Sequence, residues 1–173
     1  MFSKTLIEQF YNAQKQNGLL LLGAGLLCCL LALVFQYALK RNFLKGMVPP
    51  LLILGALMTL PGYLDYKNSD QLRIDRVYSF DMYPNKLRTE EVPFIRGMID
   101  QRQYVMVMMI VLAAGSLILL IYFLMTNRET YRYGFALALL LLSGLMLLWV
   151  NLDLTREKNY LNLLNQWGIF HGN

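Results

Sequence analysis

The sequence predicts an all-α integral membrane protein: an antiparallel four-transmembrane-helix bundle with a partly helical extramembrane cap between helices 2 and 3 and amphipathic terminal helices. Two observations carry that prediction. The 173-residue chain is 57% hydrophobic and 16% charged, against roughly 45–50% and about 25% in soluble domains. The excess is concentrated in residues 18–39, 47–64, 104–126 and 133–152, none of which contains Asp, Glu, Lys, Arg or His. A helix of roughly 20 predominantly apolar residues crosses the hydrocarbon core, so each run is a candidate span. The chain thus divides into an amphipathic N-terminal segment (1–17), helices 1 and 2 (18–64), the cap (65–103), helices 3 and 4 (104–152) and an interfacial C-terminal segment (153–173).

In the first segment Phe2, Leu6, Ile7 and Phe10 share one helical face, with Lys4, Glu8 and Gln9 opposite. This is the pattern of a helix lying in a membrane interface. The first run is longer than the apolar core of a secretory signal and ends in YALKRN without a small-residue cleavage pattern, so it is expected to remain as an anchor. Its adjacent Cys28 and Cys29 cannot staple distant segments and read as small hydrophobes. In the second run Pro49 and Pro50 are expected in the first helical turn, where a missing amide proton costs little. Pro61 and Gly62 are expected to break or kink its far end.

Small residues cluster near the middle of every run: Gly23, Ala24 and Gly25; Gly55 and Ala56; Ala113, Ala114, Gly115 and Ser116; Ser143 and Gly144. Helices in lipid associate by close backbone approach, so these clusters predict tight packing at one depth. They also leave open a homo-oligomer formed through the Gly/Ala-rich faces. Gly134 and Ala138 add a small-xxx-small pair in the fourth helix.

The two short turns hold Lys40, Arg41, Lys45, Arg128 and Arg132 close to helix ends, which places them in the cytoplasm by the positive-inside rule. Both termini and residues 65–103 then lie outside it. The remaining basic residues are spread over longer segments, which translocate largely regardless of charge. The net charge of +5 forms no basic stripe of the kind that binds nucleic acid.

Ion pathways, proton relays and haem sites need ionisable or ligating groups within the membrane. The interior of the runs offers Gln36, Thr59, Ser116 and Ser143, and the sole histidine is His171. A self-sufficient pump, a proton-coupled transporter or a cytochrome is therefore not expected. No His/Cys/carboxylate spacing suggests zinc, so neither a metal nor a cofactor is expected.

Polar chemistry is left to residues 65–103. A structureless connection of that length is unusual in a compact domain, and its mixture of charges with Tyr66, Tyr78, Phe80, Tyr83 and Phe94 favours a folded cap. Thr89 is the expected N-cap of a helix with Glu90 and Glu91 in its first turn. Phe94, Met98 and Ile99 form its apolar stripe, Arg96 and Asp100 an i, i+4 pair, and the helix is expected to continue into the third span. At the other end Leu161, Leu164, Trp167 and Phe170 repeat the interfacial pattern after the polar stretch TREKN. The carboxylates Asp65, Asp75, Asp81, Glu90, Glu91 and Asp153 all fall near the membrane surface. They stand among basic neighbours, as in RIDR and LRTEE, which favours ion pairing over acid–base catalysis, so no catalytic residue is assigned.

The Tyr-Leu-Asp-Tyr at the end of the second run, then Arg73, Asp75, Arg76 and Tyr78, then DMYPNKLRTEEVPFIR running into the third run, resemble small four-helix inner-membrane proteins of Gram-negative bacteria. Some of these act as immunity proteins against toxins encoded beside them. The resemblance implies a multi-pass inner-membrane protein with a periplasmic cap that binds or neutralises a membrane-targeting antibacterial toxin. Arginines and aromatics dominate binding hot spots, so Arg73, Arg76, Tyr78, Tyr83 and Arg96 are the expected partner-binding residues. Two other readings stay open. One is an accessory subunit of a larger transport, secretion or respiratory complex; the other is an enzyme acting on a lipid-linked substrate at the membrane surface. In all three the partners are membrane lipids and, for the first two, another protein.

Overall fold

The computed structural model describes residues 2–37, 41–126 and 130–170, the side chains of 84, 86, 88, 126, 130 and 168–170 excepted. Four helices account for nearly all of them: α1 (Lys4–Tyr37), α2 (Asn42–Met82), α3 (Pro84–Thr126) and α4 (Thr130–Phe170). Each is long and apolar enough to cross a membrane, and each extends well beyond its uncharged run. At 1.5 Å per residue, the 41 residues of α2 span about 60 Å.

The cap is therefore a direct continuation of the long helices. α2 runs through Pro61 and Gly62 as one helix, so of the break or kink that the sequence predicted there, the break is absent. The reason is tertiary. At Gly62 an added Cβ would lie 2.6 Å from the Leu22 backbone nitrogen and 2.8 Å from the Gly18 carbonyl oxygen, so α1 holds this stretch of α2 along its side. Pro49 and Pro50 also lie inside α2 rather than in its first turn, because the helix already begins at Asn42. The expected N-cap at Thr89 is replaced by a start at Pro84 after a one-residue turn at Tyr83. Proline is preorganised for the first helical position, and Thr89 Oγ1 instead donates to the Asn85 carbonyl within the helix. α3 continues into its apolar run as expected. Arg96 and Asp100 lie exposed on it, without an ion pair between them among the described residues.

The terminal segments are not separate interfacial helices; they are the first and last turns of α1 and α4. Their apolar stripes pack on protein. Phe2, Ile7, Phe10, Tyr11, Tyr160 and Leu164 are buried in one cluster with Leu87, Ile95, Ile99 and Leu154. The Phe10 and Tyr160 rings stack at 4.0 Å, and Trp167 packs on Phe2 and Phe80. The proposed stripe member Phe170 has a side chain outside the described residues, as do the cytoplasmic-turn candidates Lys40 and Arg128 and the whole of His171.

A second apolar cluster lies within the uncharged runs: Leu21, Cys28, Ala32, Val48, Leu51, Leu54, Met58, Met109, Leu142 and Met146. Close backbone approach is selective there. Gly25 faces Gly55 and Thr59, and Gly46 and Gly134 sit against the backbone of Tyr131 and Phe43. Gly23, Gly115 and Gly144 have open space where a Cβ would stand, so the expectation that every mid-run cluster packs fails for them. α1 lies along α2, and α4 packs on both α2 and α3. The consecutive helices α2 and α3 approach each other sparsely.

Candidate functional site

Between the two apolar clusters lies a layer of buried charge, at the level where the uncharged runs end. Arg102, two residues before the third run, is its hub. Its Nη2, Nη1 and Nε lie 3.3 Å from Asp65 Oδ2, Asp153 Oδ2 and Glu157 Oε1 respectively. Asp153 also takes Arg156 Nη2 at 2.6 Å and the Asn17 amide at 2.7 Å. Asp153 and Glu157 are one helical turn apart on α4, which puts both carboxylates on one face. Arg102 and Arg156 together carry two charges against three, and burial pushes the Glu157 carboxyl up to about 7 despite the opposing pull of Arg102. Burial likewise raises the Asp65 carboxyl above its ordinary range, with Arg102 again opposing.

A second polar cluster lies nearer the termini. Glu91 is fully buried, and its Oε1 accepts hydrogen bonds from the Tyr11 and Tyr160 hydroxyls at 2.6 and 3.1 Å. Arg76 Nε lies 2.6 Å from Glu91 Oε2, a contact of opposite charges out of hydrogen-bond alignment, and Arg76 Nη1 donates to Glu90 at 3.0 Å. Burial raises the Glu91 carboxyl, while the tyrosine hydrogen bonds and Arg76 pull the other way. Burial also raises both tyrosine hydroxyls, and the neighbouring carboxylate adds to the shift. Both therefore remain neutral donors. Charges farther out pair on the surface, Lys4 with Asp81 and Lys15 with Asp70.

Of the residues expected to bind a partner, Arg73 donates to Asn12 at 2.7 Å and lies 3.6 Å from Asp70. Arg76 is committed to Glu90 and Glu91 and packs over the Phe94 ring. Tyr78 and Tyr83 stand exposed at the turn between α2 and α3, their ring centroids 6.3 Å apart, and Arg96 is exposed on α3. The structure thus brings the two tyrosines together and ties the two α2 arginines into the fold. Sequence reasoning missed Arg102, Glu157, Tyr11 and Tyr160. The one signal for them was the i, i+4 spacing of Asp153 and Glu157 next to an arginine at a span boundary.

It also missed a surface stripe. Ile74, Tyr78 and Met82 succeed one another at intervals of four along α2, and all three are more than half exposed. They begin ten residues past the end of the uncharged run, about 15 Å along the axis.

The sparse contact between α2 and α3 opens a crevice of about 660 Å³ beside the Arg102 layer. Leu57, Val105, Met108 and Trp149 line it at the level of the uncharged runs, and Gln14, Asp65, Asp75 and Arg102 line it toward the termini. Among the described residues no three His, Cys, Asp or Glu side chains converge as metal ligands. No protein-family model, curated protein or solved structure matches the chain.

Proposed function

We propose that the chain is a non-catalytic multi-pass inner-membrane protein, an antiparallel four-helix bundle whose termini and α2–α3 turn face the periplasm, and that it acts as an immunity protein against a membrane-targeting toxin. The observation that carries the binding role is the exposed stripe of Ile74, Tyr78 and Met82 with Tyr83 beside it. Contiguous apolar surface that neither lipid nor protein covers marks an interaction site, and tyrosine is enriched where such sites hold their partners. Glu91 and Arg102 keep the supporting helices in place through buried ion pairs, which leaves Tyr78, Tyr83 and Arg96 for recognition. Arg73 and Arg76 contribute by positioning α2.

Protection of cells that express the chain, challenged with any membrane toxin encoded beside it, tests the reading. The double variant Ile74→Asp/Tyr78→Asp should lose protection while keeping native abundance in the membrane, because both side chains are exposed. Retained protection by that variant, or no protection by the native chain, would refute it.

The second reading is an accessory subunit, and the geometry of α3 favours it. Val107, Val111 and Ile118 are exposed along that helix, and Gly115 offers open space for a neighbouring backbone. Copurification with a large complex that is lost on Gly115→Leu substitution supports that reading over the first.

A further inference from the structure

We infer that the α2–α3 crevice is a binding site for an amphiphile with a primary ammonium head. This goes beyond the toxin-binding reading and does not depend on it. The cavity volume of about 660 Å³ falls in the range of small-ligand pockets, and its lining changes character along the helices. Leu57, Val105, Met108 and Trp149 offer an apolar sleeve at the depth of the uncharged runs, and the polar groups lie where those runs end. A molecule that follows this gradient has a hydrocarbon tail and a polar head.

The sign of the head follows from which polar groups are already satisfied. Every nitrogen of the Arg102 guanidinium is engaged by a carboxylate, so it has little to offer an anion. What the cavity wall leaves uncommitted are acceptors. Gln14 is only 6% exposed, and its Oε1 has no hydrogen-bond partner. Asp65 shares Arg102 with two other carboxylates, and Asp75, farther along α2, is exposed with no ion pair among the described residues. A buried unsatisfied acceptor carries a desolvation penalty that an N–H donor removes. A primary ammonium supplies three donors and no acceptor, together with a positive charge facing the Asp65 and Asp75 carboxyl groups of the cavity wall. A quaternary ammonium has the charge without the donors, and an alcohol lacks the charge.

Trp149 in the cavity wall supplies the reporter. In a Trp167→Phe background in dodecylmaltoside micelles, 12-bromododecylammonium should quench Trp149 fluorescence saturably. Its half-quenching concentration should be about tenfold below those of 12-bromododecanol and 12-bromododecyltrimethylammonium, the difference that one charge-assisted hydrogen bond gives. Gln14→Met, nearly isosteric, and Asp65→Asn should each remove most of that preference. Equal quenching by the three probes, or a preference that survives both substitutions, overturns the proposal. Two sources present this head group, and competition separates them. Relief of quenching by added phosphatidylethanolamine identifies a bilayer lipid as ligand, whereas relief by dodecylammonium alone identifies a free alkylammonium.

Discussion

Replacing Arg102 by Met keeps an unbranched apolar stem, shorter than the arginine side chain, and removes the one cation shared by three carboxylates. Breaking a buried ion pair by deleting one partner costs about 3–5 kcal/mol, because the remaining charge is left without compensation. Here the cost is unevenly spread. Asp153 keeps Arg156 and Asn17, and Asp65, about a quarter exposed, can turn toward water. Glu157 is 3% exposed and has no second ion pair among the described residues, so most of the loss falls on it and the lower figure, about 3 kcal/mol, applies. For a chain of this size each kcal/mol moves Tm by about 2–4 °C. Arg102→Met should therefore melt about 6–12 °C below the native protein in dodecylmaltoside at pH 8. At pH 5.5 the deficit should shrink, since an uncompensated Glu157 is then protonated. Adding Glu157→Gln to Arg102→Met should recover much of the loss at pH 8, a coupling visible in a double-mutant cycle. A deficit under about 2 °C at pH 8, or one equal at both pH values, would refute the assignment of Arg102 as the structural hub.

In the native protein Glu157 binds its proton up to about pH 7 against an ordinary value of 4.5, so between those values the folded state holds more protons than the unfolded one. Stability should fall by about 3 kcal/mol as pH rises through that window, and thermal melts of Glu157→Gln should show a flatter profile there. Gly62→Ala drives a methyl against the Leu22 and Gly18 backbones and should cost about 1–3 kcal/mol. Gly115→Ala meets open space and should leave the melting temperature unchanged; equal effects of the two would show that the α1–α2 approach is looser than described. For topology, a single cysteine at Asn68 in a chain without Cys28 and Cys29 should react with an impermeant thiol reagent on intact cells. One at Asn127, outside the described residues, should not, and the opposite pattern would invert the orientation.

The sequence by itself determined the four long apolar helices, because a run of some twenty apolar residues without charge has the length and composition of a spanning helix wherever it sits in the chain. It also pointed to ion pairing for the carboxylates near the run ends, but on a solvated face, whereas Glu91 and Asp153 pair while buried. What it did not determine depends on contacts between distant residues. A proline–glycine pair at 61–62 reads locally as a breaker, yet α1 lies against it and the helix passes through. Gly62 and Gly115 are equivalent as letters, and only the packing makes one a tight contact and the other open surface. The amphipathic ends showed which face would be buried but not whether lipid or protein would cover it; the answer was Leu87, Ile95 and Ile99 on α3. Arg102 lies 37 residues from Asp65 and 55 from Glu157 in the chain. Buried charges find partners by position in the fold, so the hub, the acceptors left over around it and the crevice beside it belong to the tertiary structure alone.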